Sequence, residues 1–416
     1  MSADNFPERK YVIGAIIILI SIIYIVKLFL LQVVDTSYKL SADNNARRHV
    51  TQYPARGLIY DRNGELLVYN EAAYDLMVIP RQLEPFDTLD LCRILNLNKQ
   101  QIEKRIQKAK NYSYYKPSIF VKQISSKTYA VLQEKLYKYA GFFVQSRTLR
   151  RYPRKIAAHV FGYVGEADES IIESDPYYRP GDYIGISGIE KSYEKILRGK
   201  KGVKIYLVDV HNRVKGSYMD GKYDSTAIAG TNITITLDAE LQAYGEKLMN
   251  KKIGSIVAVE PATGQILSLV TSPGYNPELL VGRVRTKNYK ILSNDSLKPL
   301  FNRALMAQYP PGSTFKVMNA LIALQEGVAN YYTKYSCYGG YRVGRFFVGC
   351  HNHESPLNLP QSIQYSCNTY YCNLFRKLLD DDQYSSVSEG LTTWRKHLLS
   401  FGFGNKLNTD FTNELP

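Results

Sequence analysis

The sequence contains no internal repeat, no low-complexity tract, no Cys-x-x-Cys pair and only one apolar run long enough to cross a bilayer. The first two absences leave no periodic array or compositional linker to organise the chain. The third removes the close spacing of a zinc finger. The fourth limits the chain to a single helical span. Negative charge is also short: 38 Asp+Glu face 53 Lys+Arg, a formal +15. Such an excess suits an anionic surface, whether lipid headgroups, cell wall or nucleic acid. The basic residues are spread along the chain, however, which fits solvated faces. In residues 99–110, Ile102, Ile106 and Ala109 form one stripe, and Lys99, Lys104, Arg105, Lys108 and Lys110 cover the rest. That pattern predicts an amphipathic surface helix rather than a nucleic-acid patch, and no nucleic-acid partner is expected.

The apolar run begins at residue 11. Residues 11–26 carry no charge, and the run resumes after Lys27 to Val34. A helix over 11–34 would reach about 36 Å, against a bilayer core of about 30 Å. Lys27 lies near one end and can snorkel. No small-x-small cleavage site follows closely, so an uncleaved signal anchor is expected. The short head, residues 1–10, would be a cytoplasmic tail and the long body would be exported.

Residues 35–55 are polar and read as a helical or extended stalk. Residues 56–70 read as strand, turn, strand, because Asn63-Gly64 between apolar runs is a hairpin signal. A helix is expected at about 187–198. Gly221, Ser225 and Gly230 cluster at an expected domain boundary. Beyond it, Thr231–Leu237 alternates as a strand, and Asp238 can cap a helix whose Leu241, Tyr244 and Leu248 share a face. Residues 254–259 are apolar on both faces, which predicts a central strand. Pro261-Ala262-Thr263-Gly264 should turn the chain into a neighbouring strand over 265–271.

The chemistry lies in Tyr309-Pro310-Pro311-Gly312-Ser313-Thr314-Phe315-Lys316. Residues i and i+3 share a helix face, so Ser313 and Lys316 would meet at a helix start set by the Pro-Pro-Gly entry. A serine beside an amine base suits acyl transfer, and the free N–H groups of a helix start help an oxyanion. The amine must be partly neutral, which requires burial. Ser113-x-x-Lys116 and Ser192-x-x-Lys195 share the spacing. Neither has a Pro-Gly entry or an apolar helix after it, and both read as accidents. Ser366-Cys367-Asn368 supplies a hydroxyl and an amide two residues apart, suited to relaying a proton and holding a peptide amide.

Arg56-Gly57, Asp61-Arg62-Asn63-Gly64, Arg151-Tyr152-Pro153, Gly185-x-Ser187-Gly188-Ile189-Glu190, Leu197-Arg198-Gly199, Pro261-Ala262-Thr263-Gly264 and Tyr309 to Lys316 occur in that order. From about residue 50 onward the set resembles a class B penicillin-binding protein of the elongation type. The resemblance implies an α+β chain: a transmembrane helix (11–34), an elongated pedestal (35–225) and a serine β-lactamase-like transpeptidase domain (226–416) with a central antiparallel sheet flanked by helices. It implies a membrane-anchored, periplasm-facing D,D-transpeptidase that cross-links peptidoglycan stem peptides and is acylated by β-lactams. Ser313 would be the nucleophile, Lys316 the base, Ser366 a proton shuttle and Asn368 the substrate-amide ligand, with no cofactor needed for catalysis. The pedestal would touch the SEDS glycosyltransferase of the rod complex, so the alternative reading is a non-catalytic scaffold or activator. The family's third motif, Lys-(Ser/Thr)-Gly, does not follow Asn368 before Pro416. A transpeptidase domain incomplete at its C-terminus is therefore expected: a fragment, a truncated product or a pseudoenzyme.

Four of the five cysteines fall within residues 337–372, beside His351 and His353. Cys337, Cys350, His353 and Cys367 offer the soft and borderline ligands of a structural Zn²⁺ site. His351 can replace His353. A Cys337–Cys350 disulfide and buried free thiols are the other readings.

Overall fold

The computed structural model describes residues 9–29, 47–208, 214–406 and 409–411. Residues 1–8 of the expected tail, 30–34 of the expected anchor and 35–46 of the expected stalk lie outside them. Helix α1 (Arg9–Phe29) carries the apolar run; Tyr11–Phe29, 19 residues with a mean hydropathy of 2.8, is long and apolar enough to cross a membrane. It fits a single-pass anchor.

The chain divides into two compact units: Met1–Lys251 with Ile256–Leu300, and Lys252–Ser255 with Phe301–Pro416. In the first, strands β1 (Arg47–Gln52), β2 (Ile59–Tyr60) and β3 (Leu66–Val78) open the fold. β2 and β3 pair antiparallel across the Asp61–Gly64 turn, as the Asn-Gly signal predicts. Asp61 closes that turn by accepting the N–H groups of Asn63 and Glu65 at 2.8 and 2.7 Å. Helix α2 (Lys99–Tyr112) has the expected stripe, with Ile102 and Ala109 buried, and starts at an Asn98–Gln101 capping box. It packs beside β4 (Ser118–Ile124), which joins β3 and β5 (Phe142–Arg151) in an antiparallel sheet. Two short helices, Gly188–Ser192 and Glu194–Leu197, occupy the expected 187–198 stretch. β6 (Gly202–Val208) pairs with β1 on one side and with β7 (Val214–Ser217) on the other. The result is the α+β architecture the resemblance implies, with mainly antiparallel sheets.

The pedestal motifs converge on one buried carboxylate. Glu190 is fully buried, with Arg56 Nε 2.6 Å from one oxygen and Arg150 Nε 2.7 Å from the other. The Arg150 contact is a charge contact without hydrogen-bond alignment, whereas Arg56 also binds Glu194 at 2.5 Å. Two motif glycines permit the close approach: a Cβ on Gly57 would lie 2.0 Å from the Thr231 carbonyl oxygen, and one on Gly185 1.9 Å from that of Glu190. Burial opposes the ionisation of Glu190, but the two guanidinium groups outweigh it and hold the carboxyl below its ordinary range. Removing one charge from such a cluster leaves the others uncompensated, so Glu190→Gln is expected to cost about 3–5 kcal/mol in denaturant unfolding. A depressed carboxylate contributes stability above its unfolded-state pKa. The wild-type advantage should therefore be complete at neutral pH and shrink as pH falls below the ordinary glutamate range.

Two local expectations need correction. Strand β8 is only Ile233–Thr234, parallel to β2, rather than all of 231–237. Helix α3 (Ala239–Leu248) starts at Asp238 as predicted, and its Leu241, Tyr244 and Leu248 are all exposed, as residues of one shared face would be. Its buried face carries Gln242, whose amide bonds Leu269 N–H and C=O at 2.8 and 3.1 Å. β9 (Gly254–Val259) pairs only with β10 (Ile266–Ser272) among the described residues, and Val257 and Val259 are exposed. An apolar strand with one covered face is therefore not central here.

The second unit is helical around one apolar core. α4 (Lys316–Gln325) contributes Ala320, Ile322 and Ala323. A hairpin follows, β11 (Gly340–Val343) with β12 (Phe346–Gly349), then α5 (Leu359–Gln364), α6 (Asn368–Leu379) and α7 (Val387–Ser400). α6 supplies Tyr370, Tyr371, Leu374 and Leu378 to the core. The only tryptophan, Trp394 on α7, donates to Asn319 on α4 at 2.9 Å.

Candidate active site

Pro310 and Pro311 keep the preceding short helix, Arg303–Met306, from continuing, and Gly312 takes φ +62° to redirect the chain. Residues Gly312–Phe315 then form one 3₁₀ turn that runs into α4 at Lys316. The expected helix start is present, one turn tighter than an α-helix. The Lys316 N–H donates to the Ser313 carbonyl, which fixes the two residues one turn apart. Ser313 is exposed, and its hydroxyl has no hydrogen-bond partner among the described residues.

Lys316 is half-buried, and its amine reaches the second motif. Nζ donates to the Ser366 carbonyl at 2.5 Å, Ser366 Oγ at 3.0 Å and Asn368 Oδ1 at 2.7 Å. Burial pushes the Lys316 amine down, against the opposing pull of the Cys350, Cys367 and Cys372 thiols where ionised. Ser366 sits between α5 and α6 at φ +48°, the left-handed region, a strained setting for a residue with a Cβ. That geometry aims both its oxygens at one amine. Asn368 opens α6 and donates Nδ2 to the Gly349 carbonyl at 2.8 Å, tying β12 to the same wall.

Cys367, between them, is buried and caps α6 by accepting from Tyr370 N–H at 3.3 Å. The ligand atoms of Cys337, Cys350, His353 and Cys367 all lie within 4.8 Å of one another. All five cysteines carry free thiols. Cys350 Sγ is 3.9 Å from Cys367 Sγ and 3.4 Å from His353 Nε2. Tetrahedral zinc with bonds of about 2.0–2.3 Å has ligand–ligand edges of about 3.5–3.8 Å, which the two Cys350 separations approach. His353 Nδ1 faces the Glu354 carbonyl at 2.6 Å. A carbonyl only accepts, so Nδ1 carries the proton and Nε2 presents its lone pair to the cluster. Burial raises the Cys350 thiol, but the Asn368 and Thr369 N–H groups outweigh it, so Cys350 is lowered. Burial pushes Cys367 up to about 12. His351 instead bonds the Tyr365 carbonyl at 2.5 Å.

The decoys are elsewhere. Ser113 ends α2, and its Oγ accepts from Lys116 N–H in a turn. Ser192 and Lys195 fall on two different short helices. Three partners of the site had no sequence signal: the Gly349 carbonyl, Tyr371, whose ring lies 5.8 Å from Lys316 Nζ, and Thr369, which pairs with Cys337 Sγ at 3.1 Å. Each is set by packing.

Residues 51–235 match the penicillin-binding protein dimerisation domain, and residues 254–416 match the penicillin-binding protein transpeptidase domain. The chain belongs to the penicillin-binding proteins. It is 31% identical over 428 residues to the peptidoglycan D,D-transpeptidase MrdA of Escherichia coli K12, covering 98% of this chain and 64% of the relative. It is 30% identical over 386 residues to MrdA of Acinetobacter baumannii, covering 91% of this chain and 55% of the relative. The chain thus spans less than two thirds of these relatives' length. Among solved structures, penicillin-binding protein 2 of Helicobacter pylori in complex with MreC is similar, with a TM-score of 0.73 at 28% identity over 89% of this chain and 68% of that one.

Proposed function

We propose that the protein is a peptidoglycan D,D-transpeptidase of wall elongation, with a cytoplasmic tail (1–10), an anchor (11–34), a periplasmic pedestal (35–225) and a transpeptidase domain (226–416). The observation that carries this reading is the Lys316 amine, half-buried one turn from Ser313 and bonded to both Ser366 and Asn368. Ser313 Oγ attacks the penultimate D-Ala carbonyl of a stem peptide, and its proton passes to neutral Lys316. The bond to the terminal D-Ala breaks as the departing D-Ala nitrogen takes that proton from Lys316 through Ser366. An acceptor-strand amine then attacks the ester, forming the cross-link and restoring Ser313. A β-lactam takes the same path and stops at the ester. Asn368, braced by Gly349, holds the substrate amide. Zn²⁺ on Cys337, Cys350, His353 and Cys367 would brace the wall that carries Ser366 and Asn368, with no part in the chemistry.

A second, non-catalytic role as scaffold or activator is supported by the similarity to a protein seen in complex with MreC. On that reading the pedestal docks elongation partners, the SEDS glycosyltransferase among them. Fluorescent penicillin with the full-length gene product, followed by peptide mass spectrometry, is expected to place one adduct on Ser313. An adduct elsewhere, or none, sinks the catalytic reading. Ser366→Ala keeps the carbonyl contact to Lys316 and loses the relay, so its acylation rate should fall about 10²–10⁴-fold.

A further inference from the structure

The first unit contains a groove of about 730 Å³, a volume suited to a small-molecule ligand rather than a single ion. Its wall carries six cations and one carboxylate, Glu166. Two of the cations are compensated: Lys122 pairs with Glu166, and Arg147 with Asp75 at 2.9 Å. The other four, Arg105 and Lys108 on α2 and Arg283 and Arg285 on the segment after Gly282, pair with no carboxylate among the described residues. Arg105 spends one N–H on the Phe120 carbonyl at 2.7 Å and keeps the rest of its fork. Burial, and then the neighbouring Arg283 charge, push its guanidinium down. On the same wall Ser118 is only 9% exposed, and its buried hydroxyl has no hydrogen-bond partner.

Like charges gathered in a partly buried groove repel, and a buried hydroxyl without a partner is costly. One kind of occupant relieves both. We propose that this groove binds an anionic ligand carrying more than one oxyanion, phosphate or carboxylate, held by Arg105, Lys108, Arg283 and Arg285 with Ser118 donating a hydrogen bond. Arginine forks match both oxyanions bidentately, so the two sources share one chemistry.

The test is calorimetric titration of the full chain, in detergent, with inorganic diphosphate and separately with glutarate. Vesicles of phosphatidylglycerol in phosphatidylcholine form a third arm. Saturable binding of diphosphate points to a phosphate source, and binding of glutarate to a carboxylate source. The Arg283→Gln/Arg285→Gln variant should bind the preferred anion about tenfold or more weakly. Its thermal midpoint should be unchanged, since neither side chain is buried. Ser118→Ala should also weaken binding without lowering the thermal midpoint, because it deletes a hydroxyl with no internal partner. The proposal is overturned if neither small anion binds, or if both variants bind like wild type. A vesicle-only signal overturns it too, since net charge alone explains that result.

Discussion

Ser313→Ala should fold with the wild-type thermal midpoint and form no covalent adduct with penicillin. The hydroxyl is exposed and unpartnered among the described residues, so deleting it orphans no buried group. Loss of a serine nucleophile costs about 10⁶-fold in turnover where it has been measured as part of a catalytic unit. Gel fluorescence and intact-mass measurement of the full-length protein would show the loss directly. A Ser313→Ala protein that still labels at the wild-type rate would remove Ser313 from the mechanism. Lys316→Gln is the companion experiment. Glutamine still donates toward Ser366 and Asn368 but cannot take a proton, so acylation should fall by a similar order while the fold survives. The two losses should not add, since nucleophile and base act as one unit.

Zinc is expected to co-purify with the protein, and its removal should both destabilise the second unit and slow acylation. Structural zinc contributes about 10–16 kcal/mol to the folding of small finger peptides. This unit has its own core of buried residues on α4, α5 and α6, so the expected loss is smaller, about several kcal/mol, read as a lower thermal midpoint after chelation. Cys337→Ser is the sharper variant, because Cys337 is less buried than Cys367, which belongs to the core. It should lose metal and slow acylation with Ser313 and Lys316 untouched. Protein that holds no metal, and whose thermal midpoint ignores added Zn²⁺, would leave the thiols as core residues.

Much of this was legible in the chain because it is local. Asn63-Gly64 set a hairpin, Asp238 and Asn98 set helix starts, and Pro310-Pro311-Gly312 placed Ser313 and Lys316 on one turn. In each case the hydrogen bonds that close the turn or start the helix lie within four residues, so nearby side chains decide it. The decoys Ser113 and Ser192 failed on the same local grounds. Tertiary structure decided what distant residues do for one another. Lys316 meets Ser366 and Asn368 because α4 and α6 share a core of apolar side chains, and no spacing encodes that approach. The cysteine set closes to within 4.8 Å only because the loop after β12 returns to the start of α6. The pedestal glycines were visible as motifs, but their reason, the backbone of Thr231 against Gly57 and of Glu190 against Gly185, appears only once the chain is folded. Sequence alone nominated the residues proposed to carry the chemistry. Packing decided which of them touch, because burial and long-range contact depend on the whole core rather than on neighbours in the chain.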